Sequence, residues 1–274
     1  MTTAASQINT FLLADDGVVN FSDLADSIDL EAFPDLLGQP IRLLSGNDRV
    51  TGADVNVAGY ANRVNGNLGS DDLFGSVFRD FYRGGKEEDE LFLRAEADFG
   101  NGNNGDDDVY GEAGNDLIRG GRGDDELYGG EGSDILIGDF GQDELVGGGG
   151  ADRFVIRTDS RLVDGVTLSN LSANPGEVDE IEDFDVASGD RIVMPGVSSR
   201  DQLTIAAFED DSAIISVDFV SGSLFAAVVD DVNAADLQSV AGSAILIGAT
   251  ADSFLSQTNP DAFLANPDLF AAIG

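Results

Sequence analysis

Six nonapeptides follow one another without interruption from Gly102 to Val155: GNNGDDDVY, GEAGNDLIR, GGRGDDELY, GGEGSDILI, GDFGQDELV and GGGGADRFV. A fixed period of this kind marks a stacked, one-dimensional architecture in which each unit packs mainly against its neighbours. Carried backwards in the same frame, the sixth position is an aspartate ten times running: Asp71, Asp80, Asp89, Asp98, Asp107, Asp116, Asp125, Asp134, Asp143 and Asp152. The eighth position is apolar in nine of those ten units, from Leu73, Tyr82 and Leu91 through Val109, Ile118, Leu127, Leu136 and Leu145 to Phe154, with Gly100 the exception. An acidic position and a core position are thus locked into one period, which a flexible Gly/Asp-rich linker has no reason to keep.

Glycines at the first, second and fourth positions permit positive φ and close approach of successive turns, so each unit opens with a tight loop whose carbonyls can converge. The last three residues make a short strand whose middle side chain points inward. Aspartates stacked at about one strand spacing, ~4.8 Å, repel one another, and a hard cation with oxygen ligands at ~2.4 Å is their natural neutraliser. Calcium suits such a site better than magnesium, because two carboxylates with several main-chain carbonyls form an irregular shell that Mg²⁺ resists.

Composition narrows the chemistry further. The 274 residues contain neither Cys nor His, which removes disulfides, zinc ribbons, thiol nucleophiles, Ser-His-Asp triads and imidazole bases. A single lysine, Lys86, leaves Schiff-base chemistry little foundation. With 52 acidic against 14 basic residues the net charge is −38, which disfavours a nucleic-acid partner. The charge also suits solubility in a salty medium. No apolar run approaches the ~20 residues of a membrane span. The first residues, Met1 to Ala5, lack the basic and apolar regions of a classical signal peptide, so export is expected to use another signal.

The units resemble the haemolysin-type, or RTX, calcium-binding repeats, with their pattern G-G-x-G-x-D-x-U-x. That resemblance implies an all-β fold: a calcium-binding parallel β-roll with two nonapeptides per turn and a row of Ca²⁺ ions along each edge. One edge would carry Asp71, Asp89, Asp107, Asp125 and Asp143, and the other Asp80, Asp98, Asp116, Asp134 and Asp152. It also implies that each ion is held by the sixth-position aspartates of two adjacent loops and by main-chain carbonyls of the first four positions. The ligating aspartates are then Asp107, Asp116, Asp125, Asp134, Asp143 and Asp152, with loop glycines Gly102, Gly105, Gly111, Gly114, Gly120, Gly121, Gly123, Gly129, Gly130, Gly132, Gly138, Gly141, Gly147, Gly148 and Gly150. Four ions fall between fully matching neighbours, and up to eight if Asp71, Asp80, Asp89 and Asp98 take part. The loops before Asp80, Asp89 and Asp98 replace the fourth-position glycine with Phe78, Glu87 and Glu96, so a weaker geometry is expected there. Replacing Asp80 is expected to cost no more than a surface change. Upstream, Leu44 to Val50 and Ala61 to Gly66 look like opening turns of the same roll, with the frame slipping by five residues between them.

Residues 1–42 read as an N-terminal cap, helical around Ser22 to Phe33 and stopped by Pro34. The roll takes residues 43–157. From 158 to 250 the glycines thin out and short runs predict strands at Glu180–Phe184, Arg191–Met194, Leu203–Phe208, Ala213–Phe219, Leu224–Val229 and Ala244–Ile247, expected to continue the roll as a β-sandwich. The stretch Asp179 to Ile192 resembles the D-x-I-x-D-F-x-x-x-x-G-D-x-I segment of the C-terminal domain of serralysin-type metalloproteases, a likeness spanning roughly residues 43–250; the catalytic half is missing. Residues 251–274 hold two Asn-Pro-Asp starts, Asn259 and Asn266, which predict short helical turns and a cap at this end too. The tail is similar to the uncleaved C-terminal signals of type I export.

These readings point to a non-catalytic, extracellular calcium-binding protein, exported through a type I apparatus and folded by Ca²⁺ outside the cell. Its end use would lie at a cell surface or in a matrix, with polysaccharide as a partner. The alternatives are a carrier or targeting module for a separate enzyme, and a glycan hydrolase working with two carboxylates, although no pair is marked out.

Overall fold

The computed structural model describes residues 12–13, 18–36, 38–54, 62–158, 160–163, 166–219 and 222–247. It is a parallel β-solenoid of about seven turns, closed by two facing sheets of eleven strands each. In the repeat region the chain alternates between the sheets every nine residues. The first sheet takes Asp80–Lys86, Phe99–Asn104, Leu117–Arg122, Ile135–Phe140 and Arg153–Val155, and the second takes Asp72–Phe74, Glu90–Phe92, Asp108–Ala113, Glu126–Glu131 and Glu144–Gly149. Strands pair in parallel with a shift of eighteen residues, as in Val109 beside Leu127 and Ile118 beside Leu136. Two nonapeptides therefore make one turn.

The period explains the core. Every eighth-position side chain from Leu73 to Phe154 is fully buried between the sheets, and where the residue is Gly100 the gap is filled by Leu93 and Val109. The strand alternation sends the seventh and ninth positions outward. On the second sheet the ninth positions Phe74, Phe92, Tyr110 and Tyr128 stack as a ladder with ring centroids 4.8–4.9 Å apart. On the first sheet Phe81, Phe99, Leu117 and Ile135 form a second buried apolar cluster.

The roll extends beyond the nonapeptides in both directions. At the N-terminal side Val19–Asn20, Pro40–Arg42 and Asn62–Asn65 join the first sheet in parallel, and Ser27–Asp29 and Arg49–Thr51 join the second. The expected helix over Ser22 to Phe33 is instead a strand followed by the short 3-10 turns Leu30–Ala32 and Pro34–Leu36. Edge pairing of Ser27–Asp29 to Arg49–Thr51 buries Ile28 and Leu30, which a weakly amphipathic isolated helix could not match.

At the other side Asp179–Ile181 extends the second sheet, while Arg191–Met194 and Ile245–Ile247 extend the first, all in parallel. Leu203–Ala207, Ala213–Phe219 and Gly222–Val229 run antiparallel among themselves, and Gly222–Val229 joins the second sheet by pairing in parallel with Asp179–Ile181. The strands anticipated there are thus present, but most of them prolong the solenoid. A hairpin, Ser160–Val163 with Val166–Ser169, interrupts the turns. One α-helix, Ala234–Ala244, went unanticipated; Asn233 caps it by accepting from the Asp236 N–H at 3.0 Å. No described helix is long and apolar enough to cross a membrane. The helical turns expected at Asn259 and Asn266 lie outside the described residues.

Candidate metal centre

Most loops at the solenoid's edges turn through left-handed backbone at their second and fourth positions. Gly121 and Gly123 have φ of 128° and 125°, and Asn103 and Gly105 have 81° and 138°. Gly123 shows why side chains are excluded: a Cβ there would run into the main-chain carbonyl of Gly105, the same position one turn earlier. The first-position glycines meet a different neighbour. A Cβ on Gly102, Gly111, Gly120, Gly129, Gly138 or Gly147 would strike the carboxylate of the aspartate five residues on.

That aspartate defines the site. Its Oδ1 accepts the main-chain N–H of the aspartate one turn earlier, so carboxylates are pinned in rows. Along one edge the N–H groups of Asp71, Asp89, Asp107 and Asp125 donate to Asp89, Asp107, Asp125 and Asp143 at 2.8–3.1 Å. Along the other, Asp80, Asp98, Asp116 and Asp134 donate to Asp98, Asp116, Asp134 and Asp152 at 2.6–2.8 Å. All ten aspartates singled out in the sequence stand in these rows, each at most 2% exposed.

The second oxygen carries the chemical content. In Asp71, Asp89, Asp98, Asp107, Asp116, Asp125, Asp134, Asp143 and Asp152 the Oδ2 atom is buried and has no hydrogen-bond partner. An unpartnered, desolvated carboxylate oxygen is costly unless a proton or a cation meets it. Burial, with neighbouring aspartates adding repulsion, pushes Asp89 and Asp125 up to about 9, Asp116 to about 8 and Asp98 to about 11. Asp107 and Asp134 rise to about 7, and Asp152 to about 6, chiefly through burial. Burial thus biases Asp89, Asp98 and Asp125 towards the protonated acid when no cation is bound. A cation would take the place of those protons.

The donor set fits calcium. No three carboxylates converge on a point among the described residues, because the acids are strung out in line. A cation in a row would meet two carboxylates at most, and main-chain carbonyls of the glycine loops would have to complete its shell. Such an all-oxygen, irregular set is what Ca²⁺ accepts.

Two expectations about the loops change. Glu87 and Glu96, standing where glycine was expected, adopt φ of 70° and 74°, and the loops they close place Asp89 and Asp98 in the rows like any other. The hydrogen bonds of the row to Asp89 and Asp98 are kept despite the missing glycine. Asp80 does differ, and for another reason. Its loop lacks the left-handed pair, its Oδ2 accepts the Ser76 N–H, and its Oδ1 accepts from the Asn62 side chain. Nor is it a surface residue, being fully buried.

The rows also run further than the nonapeptides. The Asp48 N–H donates to Asp71 at 2.8 Å, and the Asp26 N–H to Asp48 at 2.7 Å. At the opposite end Asp143 donates to Asp179 at 3.4 Å and Asp152 to Asp190 at 2.9 Å. A signal for all four was present: Asp26-x-Ile28, Asp48-x-Val50, Asp179-x-Ile181 and Asp190-x-Ile192 repeat the sixth-and-eighth-position pairing of acid and core residue.

The comparison with protein families agrees with the repeat pattern. The family description RTX calcium-binding nonapeptide repeat matches the chain in four copies, at residues 57–82, 94–127, 101–136 and 128–155. Comparison with curated proteins gives no match. Among solved structures, the AlgE6R3 subunit of the Azotobacter vinelandii mannuronan C5-epimerase is 24% identical, over 55% of this chain and 77% of that one, with a TM-score of 0.30. The AlgE6R2 subunit of the same enzyme is 20% identical, over 60% of this chain and 91% of that one, with a TM-score of 0.34.

Proposed function

We propose that this chain, a carrier of RTX calcium-binding nonapeptide repeats, is a non-catalytic protein whose folding is driven by Ca²⁺ after export through a type I apparatus, for use at a cell surface or in a matrix. The observation that carries this reading is the pair of rows of buried, unpartnered Oδ2 atoms. Within the repeats, the intervals between consecutive unpartnered aspartates are Asp71/Asp89, Asp89/Asp107, Asp107/Asp125 and Asp125/Asp143 on one edge, and Asp98/Asp116, Asp116/Asp134 and Asp134/Asp152 on the other. These residues would hold the ions, with the loops of Gly102 to Gly150 supplying carbonyls. Bound calcium supplies positive charge and oxygen coordination there; the Asp Oδ1 atoms meanwhile pin the turns by accepting N–H groups.

Because the sites exist only where successive turns are stacked, binding free energy is folding free energy. In low calcium the −38 charge and the unneutralised rows favour an open chain, which suits passage through a narrow channel. Where calcium is about millimolar, the range served by weak extracellular sites, the rows fill and the roll closes. Circular dichroism of the chain in chelator, then with Ca²⁺ or equimolar Mg²⁺, tests the reading. β structure and melting temperature should rise with Ca²⁺ alone, and an apo chain that melts like the calcium form overturns it.

A further inference from the structure

We infer that the calcium row on the Asp71 edge continues past the nonapeptides into a further cation site between Asp48 and Asp71, built by a turn of 23 residues in place of 18, and that the rows stop where the chain supplies its own hydrogen-bond donors. The inference rests on the calcium reading above. It adds a site to it that neither the repeat frame nor the four matched segments contain.

Asp48 is 2% exposed, and its Oδ2 is buried without a partner, as in the repeat aspartates. Its Oδ1 accepts the Asp26 N–H, and its own N–H reaches Asp71 Oδ1, so it occupies the same rung. The loop before it copies the repeat loops although leucines, Leu43 and Leu44, stand at its first two positions: Leu44 and Gly46 have φ of 44° and 122°, like Asn67 and Gly69 at 82° and 112° in the next turn. A Cβ on Gly69 would run into the Gly46 carbonyl, as a Cβ on Gly123 would run into that of Gly105. The five extra residues of this turn leave the edge loops themselves unaltered.

The row ends are equally informative. Beyond Asp48, the Oδ2 of Asp26 accepts from Ser22 N–H and Oγ at 3.1 and 2.8 Å. Beyond Asp143, the Oδ2 of Asp179 accepts from the Asn170 amide at 3.1 Å. On the other edge Asp80 is answered by Ser76 and Asn62, and the Oδ2 of Asp190 by the Asp185 N–H at 2.8 Å. Every terminal aspartate has its Oδ2 met by a donor from within, while the Oδ2 of every interior one lacks a donor. The Asp71 edge therefore holds five intervals between unpartnered aspartates and the Asp98 edge three, eight in all.

The test counts calcium on the full chain, by equilibrium dialysis against Ca²⁺ under folding conditions, for the unaltered protein, Asp48→Asn, Asp125→Asn and Asp26→Asn. Asp48→Asn should lose one ion per chain, Asp125→Asn two, and Asp26→Asn none. An unaltered chain that binds no calcium overturns the calcium reading itself. An Asp48→Asn chain with undiminished stoichiometry, beside an Asp125→Asn chain that loses ions, overturns this inference alone. Should Asp48→Asn fail to fold, the unaltered protein decides: anomalous scattering from crystals grown with Ca²⁺ should show a peak between the Asp48 and Asp71 carboxylates. Peaks confined to the nonapeptide loops refute the site.

Discussion

Replacing Asp125 with alanine removes two things at once. It strips the Asp107 N–H of its acceptor at 2.9 Å, and it takes one carboxylate from each of two proposed ion intervals. An orphaned buried N–H costs about 1–3 kcal/mol, and breaking one side of a buried charge pair about 3–5 kcal/mol. A combined loss of at least ~3 kcal/mol is more than a hundredfold in the folding equilibrium. At the calcium concentration where half of the unaltered chain is folded, Asp125→Ala should thus be folded to about 1% or less. Asp80→Ala is the control. It too is fully buried, and its removal orphans the Ser76 N–H and the Asn62 amide, at about 1–3 kcal/mol, but no unpartnered oxygen disappears. Asp80→Ala should therefore destabilise the chain while leaving the steepness of its calcium titration unchanged. Asp125→Ala should flatten that titration, because fewer ions are taken up on folding. Circular dichroism followed against free Ca²⁺ gives both midpoint and steepness. Equal flattening by the two variants would mean that a satisfied Oδ2 does not mark the end of a row, and the reasoning would fail.

Acidity should act in opposite senses on the two forms. Carboxylates whose folded pKa is raised, Asp107 to about 7 and Asp125 to about 9, favour the metal-free roll below pH ~4, and that support is lost as pH rises through about 7 to 9. Metal-stripped chain should accordingly show more β structure at pH 5 than at pH 8 by circular dichroism, and the calcium midpoint should rise as pH falls from 8 to 5; a metal-free chain better ordered at pH 8 contradicts this. Gly123→Ala places a Cβ against the Gly105 carbonyl at φ 125° and should cost about 3 kcal/mol or more, whereas Gly222→Ala, at φ 134° with nothing within 4 Å, should cost only the backbone strain of about 1–2 kcal/mol; urea titration in calcium compares them. Deleting Asn259 to Gly274, which lie outside the described residues, should abolish type I export while the calcium-bound roll still forms; secretion of the truncated chain in a reconstituted type I system would refute that assignment.

The nonapeptide frame by itself determined a stacked repeat with a core of eighth-position side chains and an aspartate in every unit, while the two-unit turn and the sorting of the ten aspartates into two rows came with the likeness to RTX repeats. It could do so because a nine-residue period leaves each unit one way to face its neighbours: acid at the edge, apolar residue inward. What lies outside the period was decided by tertiary contacts. Turns of 23, 36 and 38 residues bring Asp48, Asp179 and Asp190 onto the same rungs, since parallel pairing constrains only the strand and the edge loop and not the length of chain between them. Glu87 and Glu96 read as damaged loops, yet the stacked neighbours hold them in left-handed backbone that their own preference disfavours. Ser22 to Phe33 had helical spacing, and sheet pairing overrode it. Asp80, indistinguishable by position from Asp98, differs because its loop lacks the left-handed pair and because Ser76 and Asn62 reach its oxygens, and the bond from Asn62, eighteen residues away, has no signature in either residue alone. Periodicity with the likeness to RTX repeats could say which residues share an edge; which oxygens there still lack a partner depends on side-chain donors that only the folded chain brings within reach.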